Sequence, residues 1–162
     1  MIQKIISGGQ TGADRAALDW AIANDIQHGG WCPAGRRAED GIIPDCYCLQ
    51  ETPGRNYQQR TKRNVRDSDA TLIITLAPEL TGGSLFTQEW ARKIHRPYLH
   101  VYPYLEWRKW ISAFFKTNAI RVLNVAGPRN SSAAGIEQFV HEVLDEMLAK
   151  SSDKKRSYDI AP

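Results

Sequence analysis

Short runs of branched apolar residues alternate along this chain with segments of helical periodicity, and this alternation constrains the fold more than any other feature. When a helix connects two strands of one sheet, the second strand lies parallel to the first. The predicted strands lie at residues 2–7, 27–32, 70–77, 98–102 and 121–126. We therefore predict an α/β protein with a mainly parallel central sheet.

Apolar residues at helical spacing mark the segments between these strands. The pattern predicts helices that begin near residue 13, span residues 56–66, follow residue 84, surround residues 107–115 and occupy residues 136–148. In the fourth of them we interpret the aromatic stripe as core-facing; its members are Trp107, Trp110, Ile111, Phe114 and Phe115. A second face of that helix could bury against another copy of the chain, so a homo-oligomer stays open. Residues 33–54, rich in Gly, Pro and charge, are predicted to form an ordered loop.

Length and composition fit one globular domain, because 162 residues with 42% hydrophobic content build one core and not two. We expect a single ligand-binding domain over residues 1–150 and a polar tail over residues 151–162. No apolar run approaches the ~20 residues that cross a bilayer. The first residues leave no room for a signal peptide, so we expect a cytoplasmic protein. The formal charge of +3 would suit an anionic ligand and disfavours a nucleic-acid partner.

The three cysteines, Cys32, Cys46 and Cys48, cannot all pair within one chain, and a reducing cytosol would keep them as thiols. Together with His28 they could supply four zinc ligands. Their spacing is not that of paired zinc knuckles, so we expect no metal held by protein ligands. The role of the thiols stays open.

A glycine-rich turn at residues 7–14, between the first strand and the first helix, is the first segment that suggests chemistry. Glycines let backbone NH groups point outward, and the helix N-terminus adds about half a positive charge. A phosphate or another oxyanion would fit there. The candidate ligand contacts are Gly8, Gly9, Gln10, Thr11, Gly12 and Asp14. Their spacing is neither that of a dinucleotide fingerprint nor that of a Walker loop.

A second glycine turn follows the most hydrophobic strand. Its candidate contacts are Gly82, Gly83, Ser84 and Thr87. In a parallel sheet both turns lie at the carboxyl ends of strands, where open α/β sheets bind their ligands. We therefore favour ligand binding over purely structural turns.

Two further loops add charge to the same predicted edge of the sheet. Arg129 follows the last strand, and the loop at residues 32–41 carries Arg36, Arg37, Glu39 and Asp40. An arginine can hold a phosphate through two parallel hydrogen bonds. The carboxylates could recognise polar edges of a ring system or a ribose.

Five short sequence motifs occur along the chain in a specific order. They are GGQTGADR from residue 8, GWCPAGRRAEDG from residue 30, RTKRNVRDSDATLI from residue 60, TGGSLFT from residue 81 and NVAGPR from residue 124. Together they resemble the molybdenum cofactor carrier family, a branch of the SLOG superfamily of Rossmann-like proteins. The resemblance covers most of the chain. It implies a three-layer α/β/α, Rossmann-like fold and a nucleotide-like ligand bound across the two glycine turns.

The leading hypothesis is a small-molecule binding protein for a phosphorylated nucleotide- or pterin-type ligand. Its ligand would be molybdenum cofactor (molybdopterin) or a nucleotide, and no reaction would be obligatory. Molybdopterin carries its own dithiolene, so the resemblance requires no protein ligand for the metal.

Two alternatives stay open. The superfamily includes the Lonely Guy phosphoribohydrolases, whose PGGxGTxxE motif has a glutamate where this chain has Glu89. Leu85 and Phe86 replace the second glycine–threonine step, so a nucleotide N-glycosidase with Glu89 as its catalytic residue ranks second. The other alternative, single-stranded nucleic acid, rests on a basic run made up of Arg55, Arg60, Lys62, Arg63 and Arg66. Nearby acids and the small net charge disfavour it.

Overall fold

A computed structural model describes residues 2–156, and the side chains of residues 2–149. The strands are β1 (Lys4–Ile6), β2 (Gln27–Cys32), β3 (Arg37–Ala38), β4 (Gly41–Ile42), β5 (Leu49–Glu51), β6 (Ala70–Ile74), β7 (Tyr98–Val101) and β8 (Val122–Ala126). The helices are α1 (Ala13–Ala23), α2 (Tyr57–Arg66), α3 (Gly82–Lys93), α4 (Trp107–Thr117) and α5 (Ile136–Arg156), with a short 3-10 helix at Asn130–Ser132.

Six strands form one sheet in the order β5-β2-β1-β8-β6-β7, and every neighbouring pair is parallel. The chain starts near the middle at β1, moves outward through β2 to β5, and then crosses to β6 and β7 on the other side. Strand β8 returns between β1 and β6. The direction of winding therefore reverses at the centre of the sheet. Open α/β sheets form a ligand crevice at such a reversal, beyond the carboxyl ends of the strands.

The side chains of the central strands alternate between two helical layers. On one face, Leu72 and Ile74 of β6 join a buried cluster with residues of α1, α4 and α5. Ile73 points to the opposite face and is equally buried. On that second face α3 packs on β6, and α2 packs on β2 and against α3. The predicted α/β fold with a parallel sheet is confirmed, and the helices form two layers around it.

The aromatic stripe of α4 faces the core, as its spacing predicted. Trp107 and Ile111 are buried, and Trp110, Phe114 and Phe115 pack against the same cluster while partly exposed. The homo-oligomer remains a prediction.

The last helix, α5, is amphipathic as predicted, and its apolar stripe is buried at Ile136, Val140, Val143 and Leu144. The helix runs to Arg156 and so passes residue 151, where the polar tail was predicted to start. The rest of that predicted tail, residues 157–162, lies outside the described residues. Within the described chain, no helix is both long and apolar enough to cross a membrane.

Two predictions about loops were wrong. Residues 33–54 contain a small hairpin, β3 with β4, and the strand β5, which pairs with β2 at the edge of the sheet. Helix α3 begins at Gly82, so Gly82 and Gly83 form its first turn and not the end of a loop. Strand β5 forms because its pairing with β2 outweighs its weak local strand preference.

Candidate functional site

A cleft of about 720 Å³ opens at the carboxyl ends of the central strands. Its walls are the loops that follow β1, β6 and β8, the first turns of α2 and the N-terminus of α3. Its polar lining includes Gln10, Arg60, Glu79, Gly82, Ser84 and Arg129. Small-molecule sites in proteins typically have volumes of roughly 300–1000 Å³. The cleft therefore has the size and the place in the fold of a ligand site.

The first turn of α3 forms an open cradle in this cleft. NH groups in the first turn of a helix have no partner within the helix, and the side chain of the N-cap, Thr81, does not cap them. A Cβ built on Gly82 or Gly83 would meet nothing within 4 Å. Gly82 also adopts a φ of 51°, which favours glycine. An anionic group can therefore approach this backbone closely, at the positive end of the helix dipole.

The polar residues that follow these glycines are placed differently from one another. Ser84 lines the cleft. The Thr87 hydroxyl is buried and donates to the carbonyl of Gly83 at 2.8 Å, so it closes the first helical turn and does not face a ligand. Glu89 is exposed and does not line the cleft.

Arg60 brings a positive charge into the cleft, whereas the sequence had suggested it for nucleic-acid binding. Its Nη1 donates to Oδ2 of Asp14 at 2.5 Å, and the NH of Gln10 donates to the same oxygen at 3.3 Å. The side chains of Arg60 and Asp14 are 16% and 3% exposed. Among the described residues, the buried Nε of Arg60 has no hydrogen-bond partner. Asp14 thus positions Arg60 and is not itself placed to contact a ligand.

Two features fix Arg60 in this position. A Cβ on Gly8 would lie 1.4 Å from Nη1 of Arg60, so only glycine lets the guanidinium lie across the end of β1. One turn further along α2, Asn64 exchanges two hydrogen bonds with the backbone of Trp31 in β2, at 2.8 and 3.0 Å. These contacts lock α2 onto the sheet with Arg60 on its cleft side.

The remainder of the turn between β1 and α1 contacts other loops. Gly9 and Gly12 are buried beneath them, and Thr11 donates its hydroxyl to Glu39. From this turn Gln10 lines the cleft, and its Oε1 accepts from the NH groups of Thr11 and Glu39 at 3.0 and 2.9 Å. The glycine-rich turn at residues 7–14, which was predicted to hold an oxyanion, therefore packs mainly against other loops and places one side chain, that of Gln10, in the cleft.

The two carboxylates of the hairpin bind other parts of this chain. Glu39 accepts from the hydroxyl and the NH of Ser131 at 2.5 and 3.2 Å, and these bonds, with that from Thr11, lower the pKa of Glu39. Asp40 accepts from both Nη atoms of Arg15, which lowers the pKa of Asp40. Glu39 thus joins the hairpin to the turn after β1 and to the short 3-10 helix after β8, and Asp40 joins it to α1.

Of the three arginines predicted to supply charge, Arg129 lines the cleft. Its side chain is 56% exposed, and its Nε lies 3.7 Å from Oε2 of Glu39. Arg37 is exposed in β3 and lies outside the cleft lining. Arg36 donates to backbone carbonyls of its own loop, those of Ile43, Pro44, Tyr47 and Leu49. Arg36 therefore holds a loop together and is not available to a ligand.

Most of the basic residues considered for nucleic-acid binding lie outside the cleft. Lys62, Arg63 and Arg66 line a separate groove of about 450 Å³ between α2 and α3. Lys62 Nζ lies 4.6 Å from the ring centroid of Trp90, and the Arg63 guanidinium lies 4.3 Å from that of Trp31. These cations cover aromatic rings of the surface.

The cysteines and His28 do not form a metal centre. Across the part of the chain that the structure describes, no three His, Cys, Asp or Glu side chains gather to hold an ion. His28 Nε2 lies 3.3 Å from the NH of Cys48, from which it can accept. Cys32 is buried, and burial raises the pKa of its thiol.

Fold and site together define a class of protein: a Rossmann-like ligand-binding protein whose cleft lies at the reversal point of a parallel sheet. The chain belongs to the circularly permutated YpsA SLOG family, whose model matches residues 5–148. A crystal structure from Syntrophus aciditrophicus SB, named "Putative molybdenum carrier protein", is 45% identical in sequence, with a TM-score of 0.86. The match covers 91% of this chain and 95% of that one. No curated protein matches significantly. The resemblance to the SLOG superfamily and its molybdenum carrier branch, inferred from the five sequence motifs, is confirmed.

Sequence reasoning missed several residues that line the cleft. Arg60 is the first residue of RTKRNVRDSDATLI, one of the five motifs that carry the family resemblance. That motif was the sequence signal that could have identified Arg60 as a cleft residue. Tyr57, Glu79 and Phe86 also line the cleft. No local pattern marks these three, because their placement depends on how α2 and the loop after β6 pack on the sheet.

Proposed function

We propose that this protein binds a phosphorylated nucleotide- or pterin-type ligand in the cleft and carries it without an obligatory reaction. One observation carries the proposal: the open first turn of α3 lines the same cleft as Arg60, whose guanidinium is held in place by Asp14. A helix N-terminus and a guanidinium are two groups that proteins use to hold phosphate.

The other cleft residues support a ligand with two parts. Arg129 and Gln10 add hydrogen-bond donors to the region that would hold the phosphate. Tyr57 and Phe86 add aromatic surface to the same cleft, which suits a planar ring. A phosphate joined to a flat heterocycle would use both kinds of group.

The name of the Syntrophus aciditrophicus protein makes molybdenum cofactor a specific candidate ligand. In this chain Gly82, Gly83 and Arg60 would hold its phosphate, and the aromatic residues would contact its pterin. Molybdopterin supplies its own dithiolene to the metal, so the chain needs to contact only the organic part. We propose molybdenum as cargo of the ligand and not as a metal held by this chain.

The substitution Gly83→Asp tests the proposal. Nothing lies within 4 Å of a Cβ at Gly83, so the new side chain fits the fold but places a negative charge in the cradle. We expect ligand affinity to fall at least tenfold. The melting temperature should hold or rise, because an acid at a helix N-terminus stabilises by about 0.3–1 kcal/mol. Gly83→Ser adds bulk without charge and separates the two effects.

Binding is measured by calorimetry with nucleoside monophosphates and molybdopterin, and by native mass spectrometry of freshly purified protein. A retained mass that the Gly83→Asp variant lacks would support the proposal and identify the ligand. The proposal fails if no nucleotide or molybdopterin changes the melting temperature, or if the variant responds to every ligand as the unmodified protein does.

A further inference from the structure

Glu79 is the single acidic residue among those that line the cleft. It lies in the loop between β6 and α3, three residues before the glycine cradle, and its side chain is exposed. Within the described chain, its carboxylate takes part in no ion pair or hydrogen bond. It is also outside α3, whose first turn contains no acid, so it does not cap that helix.

A carboxylate in a cleft built for an anion opposes binding of that anion unless it accepts hydrogen bonds from another part of the ligand. The lining otherwise consists of neutral and basic residues, with Arg60 and Arg129 as its cations. A free carboxylate offers two acceptor oxygens and no donor. A ligand edge with two adjacent N–H donors matches these two oxygens.

We propose that Glu79 selects ligands through the amino-oxo pyrimidine edge that guanine and pterins share. On this edge a ring N–H and an amino group lie side by side, so both can donate to one carboxylate. Adenine presents a donor beside an acceptor there, and hypoxanthine lacks the amino group. The assignment rests on the proposed function, because it takes the phosphate to lie at the α3 cradle. Tyr57 and Phe86, in the same cleft, provide aromatic surface for the ring.

The experiment compares four ligands by calorimetry: GMP, IMP, AMP and neopterin monophosphate. GMP and IMP differ only by the amino group that Glu79 would bind, and neopterin monophosphate carries the same edge on a pterin. We expect the unmodified protein to bind GMP, neopterin monophosphate or both at least tenfold more tightly than IMP and AMP, as expected for a charge-assisted hydrogen bond. Comparison of GMP with neopterin monophosphate shows which heterocycle fits better.

Glu79→Gln should bring this preference below about threefold. Binding of IMP should stay equal or tighten, because a negative charge has left an anion site. Glu89→Gln is the matched control: it removes one exposed carboxylate from α3, outside the cleft, and should keep the full preference.

Three results would overturn the assignment. The first is equal binding of all four ligands to the unmodified protein. The second is a preference that survives in Glu79→Gln. The third is a loss of all four ligands in Glu79→Gln together with a strict need for Mg²⁺, which would make Glu79 a ligand of a phosphate-bound cation. If none of the four ligands and no molybdopterin binds at all, the proposed function fails, and with it the assignment that rests on it.

Discussion

Nη1 of Arg60 lies 2.5 Å from Oδ2 of Asp14, directly across Gly8 at the end of β1. Asp14 is almost completely buried and accepts from Arg60 and from the NH of Gln10, so its charge is well compensated. The pair fixes in one position a guanidinium that lines the cleft. Arg60 is therefore ready to receive an anion without reorganising, which lowers the entropic cost of binding.

Arg60→Lys tests this arrangement. Lysine keeps the charge that Asp14 needs but lacks the planar fork, so we expect the affinity for GMP or neopterin monophosphate to fall about tenfold. Stability should change by less than about 1 kcal/mol, because the ion pair is retained. Arg63→Lys, on the same helix but in the separate groove, should bind like the unmodified protein. Equal affinities of the two variants, measured by calorimetry, would remove Arg60 from the site.

Gly8→Ala should displace the guanidinium of Arg60 while leaving residue 60 itself unchanged. The new methyl group would lie 1.4 Å from Nη1 of Arg60 and 2.8 Å from Oδ2 of Asp14, so the ion pair has to separate. We expect a loss of about 1–3 kcal/mol of stability, the usual cost of a buried polar group left without its partner. Ligand affinity should fall as in Arg60→Lys.

Gly83→Ala serves as the stability control, because it adds the same methyl group where nothing lies within 4 Å. Urea unfolding of the two variants gives the comparison. If Gly8→Ala and the unmodified protein unfold at the same urea concentration, the Arg60–Asp14 pair does not depend on the space above Gly8, and the prediction is wrong.

The sequence predicted the central strands because β6 and β8 are largely buried and consist of apolar residues apart from one polar residue each, Thr71 and Asn124. Strand β5 was not predicted because it has only three residues, two of which, Gln50 and Glu51, are polar. Its pairing with β2 makes it a strand. At the site, the glycine turns were recognisable from composition, but their roles were not. The β1 turn packs against other loops, whereas the α3 turn is open, and only tertiary packing separates these two outcomes.

Glu39 predicts how stability depends on pH. Hydrogen bonds from Ser131 and Thr11 lower the pKa of Glu39 in the folded state below the value of about 4.3 that is usual for glutamate. Its contribution to stability is therefore fully present above that value and is lost as the pH falls through the lowered pKa.

The variant Glu39→Gln isolates this contribution. It should unfold at lower urea concentration than the unmodified protein at pH about 7, and the difference should shrink as the pH falls below about 4. Unfolding curves at both pH values check this. A difference that is constant across the range would show that the carboxylate form of Glu39 does not join the hairpin to the loop at Ser131.

The position of Glu89 predicts that this residue does not catalyse nucleotide hydrolysis. A catalytic carboxylate has to come within hydrogen-bond reach of the reacting atoms. Glu89 is exposed, lies outside the cleft lining and follows Gly82 by seven residues of helix, about 10 Å along the axis. A phosphate bound at the cradle would leave the glycosidic bond out of its reach unless the ligand extended along the outside of α3.

We therefore expect no release of free base when the protein is incubated with a panel of nucleoside monophosphates and analysed by chromatography. Release of base that Glu89→Gln abolishes would restore the hydrolase alternative, and it would place the ligand's ribose on α3 and not over Arg60. Release that Glu89→Gln leaves unchanged but Glu79→Gln abolishes would make Glu79, the one acid of the cleft lining, the catalytic carboxylate. Release that both variants retain would point to a contaminating enzyme.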